Sequence, residues 1–208
     1  VKRLAILGAS GHGKVLADMA ELVGWGETVF FDDAWPGLEK AGQWRVEGDT
    51  RALTAAVAAY DGVIVAIGDN LVRLDKQRLL AESGGALVSL IHPQASVSRY
   101  ASIGAGSVVM AGAVINVDAH VGKGCIINTG ATVDHDCELG DGVHLSPGVH
   151  LAGGVKVGRA SWIGIGASVK QLVSIGDGVV VGAGAAVVQN LPDRCTALGV
   201  PARIVGSA

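Results

Sequence analysis

Histidine 135 stands between two carboxylates, in the run Val133-Asp134-His135-Asp136-Cys137. A carboxylate beside an imidazole can orient the ring and stabilise its charged form, which is the equipment of acid–base chemistry. A second histidine, His144, follows nine residues later. Near the start, Gly8-Ala9-Ser10-Gly11-His12-Gly13 separates an apolar run from a helical pattern. Amide groups and the helix dipole at such a junction favour a phosphate. Asp32-Asp33 closes a second apolar run and could read as the ribose-binding acid of a dinucleotide site; Gly68-Asp69-Asn70 closes a third. A dehydrogenase fits poorly, because about 85 residues leave little room for both halves of a dinucleotide. No metal site is expected. Histidine gaps of nine (135 to 144) and six (144 to 150) do not match the five-residue spacing of a γ-type carbonic anhydrase zinc site.

These residues have to be positioned, and over 91–208 a repeat does it. Every sixth residue from Ile91 to Val187 is Ile, Leu or Val, and the position four further on, from Ala95 to Ala185, is always Ala, Ser, Cys or Val. A six-residue period with two inward positions means short strands joined by corners. If three hexads close one coil, residues 18 apart stack at the strand spacing of about 4.8 Å. Sixteen hexads then make a little over five coils, with Ile, Leu and Val along the axis. The tail through Gly199-Val200-Pro201-Ala202-Arg203 caps the last coil.

The repeat also sorts the candidates. Cys125 and Cys137 fall on the small inward position and His135 falls outside. Gly153, eighteen residues after His135, stacks one coil away, where its N–H could approach an acyl oxygen as an oxyanion donor must. His144 lies half a coil around, so a site using both histidines has to be shared between chains.

Residues 1–90 read differently. Apolar runs at 2–7, 28–31, 62–67 and 86–91 alternate with helical patterns at 14–23, 50–60 and 71–83. That alternation predicts a small Rossmann-like α/β domain with a parallel sheet.

Composition narrows the function. A net charge of −3 recommends neither nucleic acid nor an anionic membrane. No apolar run reaches membrane-spanning length, and Leu4–Leu7 is too short for a signal peptide. Three cysteines without a C-x-x-C make no disulfide framework, so a reduced, cytoplasmic protein is expected.

The hexads, the Gly199–Arg203 tail, the Gly8–Gly13 loop and the Val133–Cys137 run together resemble one family. It is the hexapeptide-repeat nucleotide-sugar acetyltransferases, including UDP-bacillosamine-type N-acetyltransferases and sialic-acid O-acetyltransferases. The resemblance covers essentially the whole chain. It implies a left-handed parallel β-helix, a homotrimer, and acetyl-CoA bound between neighbouring chains. It implies His135 as general base with Asp136 behind it, where many relatives carry Glu. His144 is implied near the thioester, Asn128 at the acceptor sugar, and Gly153 against the acetyl carbonyl. Gly11, His12, Asp32, Asp33, Gly68 and Asn70 would hold the nucleotide sugar. The backbone at Gly166–Val169 and Ala183 would line the pantetheine, with Lys156, Lys170, Arg194 and Arg203 as candidates for its phosphates.

The expected reaction is acetylation of the 4-amino group of a UDP-linked 4-amino-4,6-dideoxy sugar. Alternatives are O-acetylation of sialic acid, a GDP-linked amino sugar, and a non-enzymatic β-helix that only binds partners.

Overall fold

A computed structural model describes residues 1–208. The chain forms two compact units, Val1–Pro93 and Gln94–Ala208.

In the first unit, strand β1 (Arg3–Leu7) lies between β2 (Glu27–Phe31) and a third parallel strand, Gly62–Val65. Leu4, Ala5 and Ile6 are fully buried, as expected of a central strand covered on both faces. Helix α1 (Gly11–Leu22) starts three residues earlier than the apolar spacing suggests. The end of the glycine-rich loop is therefore the first turn of the helix. Helix α2 (Thr50–Ala56) is capped by Asp49, whose Oδ1 accepts from Ala52 N at 2.7 Å. It gives way to a 3₁₀ turn at Val57–Ala59, so the expected helix to residue 60 is shorter. Helix α3 (Asn70–Glu82) is capped by Asp69, which accepts from Val72 N at 2.9 Å.

Two features depart from expectation. The run Ala86–Ile91 is not one strand: Leu87 makes a single parallel bridge to Val63, and only Leu90–Ile91 is extended beyond it. Apolar character there marks burial, not ladder pairing. A small hairpin, Lys40–Ala41 with Trp44–Arg45, was not signalled. Its Trp44 ring meets Phe30 edge-on at 6.1 Å.

The second unit is a left-handed parallel β-helix of about 6 turns. Its strands are two residues long and pair with strands 18 residues away, as Thr132 does with Val114 and His150. One face runs from Ser96–Val97 to Ala186–Val187 and a second from Ser102–Ile103 to Ser174–Ile175. The third rises from Val108–Val109 to Val180–Val181. Both inward positions are buried from Val109 to Val187. Each bulky one contributes about 1.5–3 kcal/mol of hydrophobic burial. The first members of the pattern are not interior: Val97 and Ile103 are half-buried, and Ile91 is 39% exposed.

Past the last hexad, Cys195–Leu198 adds one more parallel strand to the third face. Arg203–Ser207 then folds back antiparallel upon it. That reversal ends the parallel stacking at this face.

Candidate active site

Three corner columns connect the faces, each fastened by amide-to-carbonyl bonds from one coil to the next. In one column, Asp136 N donates to Val117 O, Gly154 N to His135 O, and Leu172 N to Gly153 O. The residue at the tip of each corner is left-handed, which is why glycine recurs there. Asp136 takes that place in its coil with φ 57°, a conformation aspartate tolerates better than most residues.

That corner fixes the His135 ring. Asp136 Oδ2 accepts from His135 Nδ1 at 2.7 Å. Asp134 Oδ1 accepts from His135 N and from Asn116 Nδ2, both at 2.8 Å. The hydrogen bond to Asp136, aided by the charge of Asp134, raises the His135 pKa above its ordinary value. The Asp134 carboxyl is held low, chiefly by Asn116. With Nδ1–H donated to a carboxylate, Nε2 carries the free lone pair.

Gly153 lies directly under the ring. A Cβ at that position would meet His135 Cε1 and Nε2 at 2.6 Å, so only glycine leaves space for the imidazole. Asn116, Thr132, Asp134, His150, Ala152 and Ser168 line a groove of about 400 Å³ along the flank of this corner. A larger groove, about 650 Å³, occupies the following face around Glu138 and Lys156, and holds none of the candidate catalytic groups.

The remaining candidates in this unit lie elsewhere on the prism. His144 sits on the third face, opposite the His135 corner, with its ring stacked on Trp162 at 5.3 Å. Trp162 is fixed in turn by a 2.8 Å bond from Nε1 to Ser146 Oγ. Asn128, Gly166 and Ala183 belong to the corner column after that face, where Gly130, Gly148, Gly166 and Gly184 stack. Within one chain, then, His135, Asp136 and Gly153 form one group, and Asn128, His144, Gly166 and Ala183 another. Of the basic candidates, Lys156 is engaged by Glu138 at 2.9 Å.

In the first unit the glycines divide by role. A Cβ on Gly8 would meet Ala66 O at 2.7 Å, and one on Gly13 would strike Gly8 O and the Phe30 ring. Both therefore serve close packing. Gly11 and Gly68 have open space where a side chain would be. His12 is mostly buried, and burial, with the nearby Arg73 charge, lowers its pKa to about 4. It is accordingly neutral at pH 7. Asp32 is tied to the backbone, its two oxygens accepting from Ala9 N (2.8 Å) and Ala34 N (2.9 Å). Asp33 pairs with Lys76 at 2.8 Å and accepts from Thr50 N. The Lys76 bond leads in drawing its pKa down to about 2.

Arg73 was missed from sequence. Only 1% exposed, it donates to Ile67 O, Gly68 O and Asn70 Oδ1, and so holds the Gly68 turn from beneath. Its signal was present: α3 buries Asn70, Arg73, Gln77 and Leu80, a largely polar stripe at helical spacing.

This combination of an α/β unit and a β-helix with a corner histidine–carboxylate pair defines a class, the hexapeptide-repeat acyltransferases. Residues 3–79 match the PglD N-terminal domain, and residues 118–153 match the bacterial transferase hexapeptide (six repeats). The acetyltransferase domain of PglB from Neisseria gonorrhoeae FA1090, solved with acetyl coenzyme A, is 43% identical with a TM-score of 0.94. That likeness covers 98% of this chain and 99% of that one. PerB from Caulobacter crescentus, solved with CoA and GDP-perosamine, is 42% identical with a TM-score of 0.94, over 99% and 98% of the two chains. The UDP-N-acetylbacillosamine N-acetyltransferase of Bacillus subtilis (strain 168) is 41% identical over 114 residues, 53% of this chain. The match spans about half, 52%, of that curated relative. The chain belongs to the hexapeptide-repeat nucleotide-sugar acetyltransferases.

Proposed function

We propose that the protein transfers the acetyl group of acetyl-CoA to the 4-amino group of a UDP-linked 4-amino-4,6-dideoxy sugar. The observation that carries this reading is the His135–Asp136 bond of 2.7 Å, with the free edge of the ring over Gly153. His135 Nε2 takes the proton from the amine as nitrogen attacks the thioester carbonyl, and Asp136 steadies the imidazolium. A C–N bond forms and the C–S bond breaks. The proton on His135 then passes to the departing thiolate. The Gly153 N–H is the donor proposed for the carbonyl oxygen as its charge grows. The step is direct attack without an acyl-enzyme, since all three cysteine thiols are buried away from the surface where His135 lies.

The two groups of candidates come together if chains pack side by side, so the reading includes a homotrimer with acetyl-CoA between neighbours. Much of the acceleration then comes from holding amine and thioester together. Nucleotide recognition is assigned to the first unit, through Gly11, His12, Asp32, Asp33, Gly68 and Asn70. Asp32 and Asp33 also fasten the loops there. No helix is long and apolar enough to cross a membrane. Three cysteines in no disulfide suit a reducing cytoplasm.

A GDP-linked amino sugar is the second reading, favoured by the full-length likeness to PerB with its GDP-perosamine. Thiol release from acetyl-CoA, measured with UDP-linked and GDP-linked 4-amino sugars and with sialic acid, separates these acceptors. The UDP sugar is expected to give the highest kcat/KM, and His135→Ala to lower it by at least about 100-fold. Preference for the GDP sugar transfers the assignment to the second reading. Near-wild-type turnover by the variant removes His135 as the base.

A further inference from the structure

We propose that Cys137 is a positioning residue for this reaction, its thiol holding the Ala152–Gly153 peptide so that the Gly153 N–H points outward beside His135. The inference rests on the reading of His135 and Gly153 given above.

Cys137 is fully buried, one residue after Asp136, on the small inward position of its hexad. Its Sγ lies 3.3 Å from Ala152 O and donates to it. Burial pushes the thiol pKa up, so it remains a donor at neutral pH. The only cis peptides precede Pro36 and Pro201, so the Ala152–Gly153 bond is trans. In a trans peptide the C=O and the N–H point in opposite directions. A carbonyl drawn inward to Cys137 therefore turns the Gly153 N–H toward the outer surface, where the His135 ring lies.

Corner amides differ in whether the chain uses them. Corner amides at Lys123, Thr129, His135, Arg159 and Asp177 donate to Asp or Asn side chains. The Gly153 N–H, like those of Val117 and Gln171 in the same column, donates to no group of the chain, and of these it is the one beside the His135 ring, where a substrate oxygen can take it.

The placement of the thiol is selective. The inward column above and below Cys137 reads Ala101, Ala119, Val155 and Val173, none of which can donate. The one donor in the column is in the coil whose bond reaches the residue before Gly153. Along another edge, Ser107 bonds Gly122 O at 2.8 Å, Cys125 bonds Gly140 O at 3.2 Å, and Ser161 bonds Gly176 O at 2.7 Å. Serine and cysteine thus make the same bond in this fold.

The test compares Cys137→Ser with two variants that cannot donate, Cys137→Val and Cys137→Ala, residues the column already accommodates. Loss of the donor is expected to lower kcat about tenfold with both KM values within about twofold, as for a misaimed oxyanion donor. Cys137→Ser is expected to return kcat to within about twofold of wild type, since only the hydrogen bond is restored. Wild-type kcat in either non-donor variant overturns the proposal. So does a serine variant as slow as valine and alanine, because packing alone then explains the loss. His135→Ala assayed in parallel separates the failures. If that variant stays active, the reading of the site is wrong. If it is inactive while Cys137→Val turns over normally, only the positioning role falls.

Discussion

Asp136 does two jobs that one side chain rarely combines: it makes the corner and it orients the His135 ring. Its left-handed backbone turns the chain between faces, and its carboxylate accepts a hydrogen bond from the Nδ1–H of His135. Because that bond raises the His135 pKa above 6.5, the neutral ring needed to accept a proton is reached only at higher pH. The wild-type kcat/KM should therefore rise through an acid limb above the ordinary imidazole value. Asparagine tolerates the same backbone, so Asp136→Asn keeps the corner and removes the charge. The limb should move to lower pH and the plateau fall by at least about tenfold, since the imidazolium loses its partner. A limb that does not move would mean that another group titrates. His135 was legible in the sequence because the hexad count put it outside, between two acids. Arg73 was not, because a charged residue on a helix reads as solvated until its stripe is seen to be buried.

At the scale of the element, the left-handed corner recurs at every sixth residue from Gly106 to Gly184. Most of these are glycine, but Ala160 takes the same turn with φ 56°. Ala160→Gly should therefore stabilise the fold by about 0.5–1 kcal/mol, the left-handed strain relieved less the entropy glycine adds to the unfolded chain. Gly140 is a different kind of glycine. A Cβ there would meet Arg159 N at 2.7 Å, backbone that cannot swing aside. Gly140→Ala should destabilise by about 3 kcal/mol, the upper range for overpacking. Chemical denaturation of the two variants checks both signs, and equal midpoints would contradict this account of the corners. The hexads made the β-helix legible because their period is rigid over many coils. The front unit was less so: the break in Ala86–Ile91 and the Lys40–Arg45 hairpin depend on tertiary pairing that an apolar run does not encode.

For the whole molecule, the geometry of one chain sets the question. His135 and Gly153 share a corner, while His144 lies on the opposite face. If one centre uses both, it takes His135 from one chain and His144 from the next. The period alone carried this argument, since half a coil separates residues nine apart; the substrate had to come from resemblance and relatives. The most direct measurement mixes two variants. His135→Ala and His144→Ala are each purified, confirmed to sediment as the wild type does, then unfolded, mixed in equal amounts and refolded together. Each parent should be nearly inactive, and the mixture should regain about a quarter of wild-type thiol release, the fraction of random interfaces with both histidines intact. A mixture no more active than its parents, or a His144→Ala parent with full activity, would contradict a centre completed between chains.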